Sequence, residues 1–190
     1  MSINFSQVPN LLTVSRIVAA PILILMLKDR DYGLALAVFL LAGLSDALDG
    51  WIAKRFGHTS RFGAILDPVA DKILLMTSYV MLMILDHLPF WLVLTVVFRD
   101  LLIVGGYLVY TSMVGPVQMH PSRISKFNTL MQIVLILAVL VQEAAGWHSR
   151  LLIEVLMYAV LITTVASGVH YVWVWGVQRE SKSGSRGDGA

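Results

Sequence analysis

Six apolar stretches, each about as long as a helix that crosses hydrocarbon, take up most of this 190-residue chain. A helix needs about 20 residues to span a core of about 30 Å, and in lipid a backbone must satisfy its polar groups internally. The stretches fall at residues 11–27, 33–53, 65–85, 89–112, 127–145 and 150–175. They predict an all-α integral membrane protein, a bundle of six transmembrane helices, with little chain left for a soluble domain. Composition agrees, since 57% of the residues are hydrophobic and 14% charged, far from the balance of a soluble domain. Without cysteine, disulfides and thiolate metal sites are excluded. A formal net charge of +2 is too small to call for nucleic acid as a partner, whereas membrane lipid is an expected one.

The first stretch lacks a basic leader and a small-residue cleavage pattern, so it reads as a retained helix. Ahead of it, "MSINFSQVPN" reads as a short interfacial segment, with Phe5 as a surface anchor and Pro9 near the helix start. Basic residues in short loops set orientation. With a cytoplasmic N-terminus, Lys54, Arg55, Arg61, Arg123, Lys126, Arg179, Lys182 and Arg186 lie inside, against Lys28, Arg30 and Arg150 outside. Both termini are then cytoplasmic, and the expected location is a bacterial inner (plasma) membrane. Residues 1–178 form the expected single transmembrane domain, and the polar, Gly/Ser-rich residues 179–190 a disordered cytoplasmic tail. Trp147, Tyr171, Trp173 and Trp175 fall near span ends, as interfacial aromatics do. His58, His120 and His170 have no companions at ligand spacing and carry no functional weight.

Against this apolar background, "SDALDGWIAKRFGHTSRFGAILDPVADK" (45–72) holds four aspartates at the ends of the second and third stretches. Carboxylates at membrane depth are costly and mark function by default. Asp46, Asp49 and Ala53 are spaced by three and four, and Gly63, Asp67 and Asp71 by four and four, so each set shares one helix face. A short basic turn between two adjacent helices would bring the rows face to face. Converging carboxylates stay ionised in a low dielectric only if cations neutralise them. Oxygen donors without Cys or His suit hard divalent ions such as Mg²⁺, Mn²⁺ or Ca²⁺. Gly50 and Gly63 remove bulk where a ligand would approach the backbone, and Lys54, Arg55 and Arg61 add positive charge beside the acids. Metal ions and a polyphosphate together point to phosphoryl chemistry. A cation- or proton-coupled transporter is the competing class, since such proteins also carry intramembrane acids; the absence of an inverted repeat and the clustering at one membrane face count against it.

Written as a pattern, the stretch is D-x2-D-G-x2-A-[basic]-x8-G-x3-D-x3-D, carried by Asp46, Asp49, Gly50, Ala53, Lys54, Gly63, Asp67 and Asp71. This resembles the signature of the CDP-alcohol phosphatidyltransferase family at every spacing. The family has Arg where this chain has Lys54, so a positive charge is kept but not a bidentate phosphate fork. "PNLLTVSRI" (9–17) and "SRISKFNTLMQ" (122–132) are similar to flanking segments of the glycerol-type members. The resemblance implies six membrane helices, commonly a homodimer, and transfer of a phosphatidyl group from CDP-diacylglycerol to an alcohol with release of CMP. It also implies the roles. Asp46, Asp49, Asp67 and Asp71 would ligate two divalent cations, Mg²⁺ or Mn²⁺, with Asp71 as general base on the incoming hydroxyl. Asp49, Gly50, Ala53, Lys54, Gly63 and Asp67 would bind the CDP moiety.

The acceptor is a separate question. Arg99 lies inside the fourth stretch beside Asp100, most simply as a charge pair. Arg123 and Lys126 start the fifth, on the same side as the aspartates, where positive-inside residues are ordinary. As functional residues the three would form a basic pocket for a phosphate on the acceptor. Glycerol 3-phosphate is the expected acceptor, giving phosphatidylglycerophosphate. The alternative is phosphatidylglycerol, as in a cardiolipin synthase, because "FRDLLIV" (98–104) and "ISKFNTLMQ" (124–132) resemble that branch equally.

Overall fold

The structure is a computed structural model that describes the backbone of residues 8–56, 61–114 and 123–184 and the side chains of 17–45, 72–106, 123–171 and Trp173. Among the described residues every regular element is α-helical: α1 (Val8–Lys28), α2 (Tyr32–Phe56), α3 (Arg61–Ile84), α4 (Phe90–Val114), α5 (Arg123–Ala145) and α6 (Arg150–Gly184). Each expected stretch coincides with one helix. The last helix runs through Gly184, past the end of its apolar run, because Gln178 to Lys182 contain no helix breaker. Two helices are long and apolar enough to cross a membrane, α5 and the Arg150–Tyr171 part of α6. The described parts of α1, α2 and α3 are shorter apolar segments, Ile17–Lys28, Tyr32–Ser45 and Lys72–Ile84.

The turns after α1, α3 and α5 use one device. Asp31 N donates to Met26 O, His87 N to Leu82 O, and Trp147 N to Gln142 O, each at 2.9–3.1 Å. These six-residue closures satisfy the last carbonyls of the helix. Each needs a left-handed residue just past the helix end, and Arg30, Asp86 and Gly146 take φ values of 58°, 62° and 66°. Only Gly146 does so without the Cβ clash, so Arg30 and Asp86 are strained positions. Asp31 then caps α2, its Oδ1 accepting from Leu34 N at 3.1 Å.

The chain forms two compact units: Met1–Pro89 with Ile136–Arg150, and Phe90–Leu135 with Leu151–Ala190. In the first, α1 packs against α2 and α3. Its core is drawn from helical rows: Ala20, Leu23 and Leu27 of α1; Ala35, Phe39 and Ala42 of α2; Leu75, Tyr79 and Leu82 of α3. At one end Tyr32 Oη lies 2.8 Å from His87 Nε2, and Glu143 Oε1 lies 3.5 Å from His87 Nδ1 and 3.3 Å from His148 Nε2. This ties the start of α2, the turn after α3 and the end of α5 together. Burial and the neighbouring Glu143 carboxylate push the Tyr32 phenol upward, against a smaller opposing pull from Arg30.

In the second unit, Leu92, Val93 and Val96 of α4, Leu135 of α5 and Val160 of α6 are buried. The outward rows are just as apolar. Along α6, Leu151, Val155, Tyr158, Ile162, Val165, Val169 and Trp173 are exposed, and along α4 Leu94, Phe98, Leu101 and Val104. A water-facing surface rarely carries so continuous an apolar stripe.

Candidate active site

The eight pattern positions divide between two helices. Asp46, Asp49, Gly50, Ala53 and Lys54 lie on the last three turns of α2, which ends at Phe56; Gly63, Asp67 and Asp71 lie on the first three turns of α3, which starts at Arg61. The backbone is helical at all eight, so Asp46, Asp49 and Ala53 share one face of α2, and Gly63, Asp67 and Asp71 one face of α3. Pro68 falls at the eighth residue of α3, where its missing N–H and ring loosen the early helix. The side chains of these positions lie outside the described residues, as do His58 and His120. Among the described residues no group of three His, Asp or Glu side chains is arranged to hold a metal. The donor set of the pattern itself, four carboxylates without nitrogen or sulfur, fits hard divalent cations.

The three candidate acceptor residues sit in the second unit and differ sharply in environment. Arg123 and Lys126 are exposed on the first turn of α5. Arg99 and Asp100 are each only 4% exposed. Arg99 Nη1 donates to Asp100 Oδ1 at 2.7 Å, and Nη2 donates to Ser125 Oγ of α5 at 2.6 Å and to Ser167 Oγ of α6 at 2.5 Å. The charge pair read from the sequence is therefore present, and a guanidinium at this depth is further held by two hydroxyls.

One turn farther along α5, Asn128 is fully buried. Its Oδ1 accepts from the hydroxyls of Thr163 (2.8 Å) and Thr164 (2.9 Å) of α6. Gln132 continues the same α5 row, also buried. Among the buried donor atoms of this seam, Arg99 Nε and Asn128 Nδ2 have no hydrogen-bond partner among the described residues. Sequence reasoning singled out neither Asn128 nor the hydroxyls. The available signal was the spacing of Ser125, Asn128 and Gln132 by three and four inside an apolar helix. In the middle of α6, His170 lies edge-on to Tyr171, and its Nδ1 is buried without a partner among the described residues.

Residues 6–169 match the family model for CDP-alcohol phosphatidyltransferase. The chain belongs to this family. It is 33% identical to the CMP-forming cardiolipin synthase of Rattus norvegicus over 180 residues, which cover 86% of the chain and 60% of that protein. It is 35% identical to the chloroplastic CDP-diacylglycerol–glycerol-3-phosphate 3-phosphatidyltransferase 1 of Oryza sativa over 186 residues, 88% of the chain and 56% of that relative. With the enzyme named CDP-diacylglycerol–glycerol-3-phosphate 3-phosphatidyltransferase from Aquifex aeolicus it shares 33% identity over 172 residues, 87% of the chain and 93% of the relative. The chain thus spans less than two thirds of the length of the animal cardiolipin synthases it matches.

Proposed function

We propose that this protein is an integral membrane enzyme of phospholipid biosynthesis that transfers a phosphatidyl group from CDP-diacylglycerol to a glycerol-type acceptor and releases CMP. The observation that carries the reading is the eight-position pattern of Asp46 to Asp71, laid on one face of the end of α2 and one face of the start of α3, in a chain of this family. The apolar stripes along α4 and α6 support helices in contact with lipid, and the excess of basic loop residues on one side favours a cytoplasmic face for the pattern. Acyl chains can then remain in the bilayer while the cytidine head and the acceptor come to the interface. The family resemblance supports a homodimer.

Asp46, Asp49, Asp67 and Asp71 are the residues that would hold two Mg²⁺ or Mn²⁺ ions. Such ions supply charge stabilisation to the phosphoryl oxygens and to the departing phosphate. Asp71 receives the proton of the acceptor hydroxyl as its oxygen attacks the phosphorus bonded to the diacylglycerol oxygen. The bond from that phosphorus to the CMP oxygen breaks, and CMP leaves. Gly50, Ala53 and Gly63 leave space for the nucleoside, and Lys54 offers its ammonium to the diphosphate as a point charge.

Glycerol 3-phosphate is the first acceptor to test, with Arg99, Arg123 and Lys126 as the cationic residues for its phosphate. Phosphatidylglycerol is the second, favoured by relatives named cardiolipin synthase at the same identity. Purified protein with Mg²⁺ or Mn²⁺ and CDP-diacylglycerol is expected to release CMP only when one of these acceptors is present. No release with either sinks the proposal, and solute flux in liposomes without lipid substrate would establish the transporter class instead.

A further inference from the structure

The seam between α4, α5 and α6 contains more polar groups than it uses. Asn128 of α5 meets Thr163 and Thr164 of α6, Arg99 of α4 reaches Asp100, Ser125 of α5 and Ser167 of α6, and Gln132 of α5 is buried farther along the helix. Polar side chains between apolar helices act as glue only to the extent that they pair. The oxygens here are well used, since Asn128 Oδ1 takes two hydroxyls and Asp100 takes a guanidinium nitrogen. What remains are donors, among them Asn128 Nδ2 and Arg99 Nε, which are buried with no partner among the described residues. An unsatisfied buried donor destabilises a fold and calls for an explanation.

The two donors belong to one place. Arg99 is fixed to Ser125, and Asn128 lies three residues on, one turn along the same α5 face. Arg99 is also fixed to Ser167, and Asn128 to Thr163 and Thr164, one turn back along α6. Arg99 is therefore held from α5 and α6, and Asn128 from α6 through two hydroxyls. The set begins two residues inside the exposed first turn of α5, beside Arg123 and Lys126. A ligand group that satisfies both donors must present accepting oxygens, and a phosphate ester carries several on one charged centre.

We infer that Asn128 is an acceptor-selecting residue, whose amide N–H groups, together with Arg99 Nε, donate to the phosphate oxygens of the glycerol-linked acceptor. This rests on the phosphatidyltransferase reading. It adds a neutral, orientation-fixed donor to what would otherwise be a purely cationic pocket. Neutral donors contribute position without adding charge, so Asn128 orients the phosphate it binds.

Two variants test this, in the full-length protein in detergent with Mg²⁺ and CDP-diacylglycerol. Asn128→Ala removes both ends of the amide. Asn128→Asp keeps an oxygen for Thr163 and Thr164 while replacing the donors by a second acceptor oxygen, and the uncharged Asn128→Ala controls for the added carboxylate. Both are expected to raise KM for the acceptor about ten-fold or more, the loss of a hydrogen bond to a charged group, with KM for CDP-diacylglycerol within about two-fold of wild type. Glycerol 3-phosphate and phosphatidylglycerol are run as separate arms, and the arm in which KM moves identifies the source of the phosphate. Thermal stabilisation by the acceptor of that arm, read without CDP-diacylglycerol, is expected in wild type and lost in both variants. An Asn128→Asp protein with wild-type acceptor KM and stabilisation overturns the assignment, as does an equal rise in both KM values. Acceptor stabilisation that depends on Asn128 in a protein releasing no CMP overturns the reaction and leaves the binding role standing.

Discussion

Arg99→Met isolates what the buried charge pair does for the fold. The substitution keeps a long apolar stem and removes three hydrogen bonds of 2.5–2.7 Å, to Asp100, Ser125 and Ser167. Asp100 stays 4% exposed but has lost the Arg99 guanidinium. Removing one member of a buried ion pair destabilises by about 3–5 kcal/mol, because the remaining charge stays desolvated. A charge pair at about 4 Å in an effective dielectric near 20 is worth about 4 kcal/mol, the same scale. For a chain of this length each kcal/mol moves the melting temperature by about 2–4 °C. The expected loss is therefore roughly 6–20 °C for the protein in detergent, followed by intrinsic fluorescence of its five tryptophans.

The companion variant is Arg99→Met with Asp100→Leu. Replacing both members of a buried pair by apolar groups of similar size is often close to neutral, so most of the lost stability should return. Arg99→Met melting within about 2 °C of wild type would refute the reasoning, and so would a double variant as unstable as the single one. The double variant also separates two roles. Once stability is restored, an unchanged KM for the acceptor makes Arg99 a structural residue alone, whereas a raised KM leaves its Nε on the acceptor phosphate as inferred above.

Asp71→Asn is expected to abolish CMP release by two orders of magnitude or more, the usual scale for a lost general base, while leaving the melting temperature unchanged; a full-rate Asn variant removes Asp71 from the chemistry. Leu23→Ala, at a fully buried position of α1, should destabilise by about 2–5 kcal/mol. Leu25→Ala, at 54% exposure, should change little, and equal effects in a thermal melt would contradict the assigned faces. Tyr32 has its pKa raised above the ordinary phenol value, first by burial and then by Glu143. A raised folded-state pKa means that the stabilisation is present below the unfolded value near 10 and is lost as pH rises through the folded one. The difference in tyrosinate absorbance between wild type and Tyr32→Phe should place this phenol's titration above that of a free tyrosine, and titration at or below the free value would refute the assignment.

Helix positions were largely legible because hydrophobic runs of about 20 residues leave few alternatives. The ends were less so. α6 outlasts its apolar run by nine residues, from 175 to Gly184, since helix propensity and hydropathy are different quantities and residues such as Gln178, Arg179 and Glu180 serve the first without the second. The pattern of four aspartates was legible for the opposite reason. Charge in an apolar run has no local explanation, so its spacing carries information that a soluble sequence would bury among many other charges.

Asn128 was not legible, and the reason is physical. A lone Asn, Ser or Thr in an apolar helix is inexpensive: it can bond its own backbone, as Ser78 does to Leu74 O and Thr129 to Ser125 O. Sequence alone cannot separate such a residue from one that reaches across helices. Thr163 shows both habits in one side chain, with Ala159 O at 2.9 Å and Asn128 Oδ1 at 2.8 Å. What distinguishes Asn128 is an imbalance visible only after the partners are known: its oxygen is doubly occupied while its nitrogen, equally buried, has none among the described residues. An amide kept only as glue could be replaced by a hydroxyl that satisfies both threonines, so Asn128→Ser should be tolerated by the fold and still fail at the acceptor. A Ser variant with wild-type acceptor KM and wild-type stability would reduce the amide to glue.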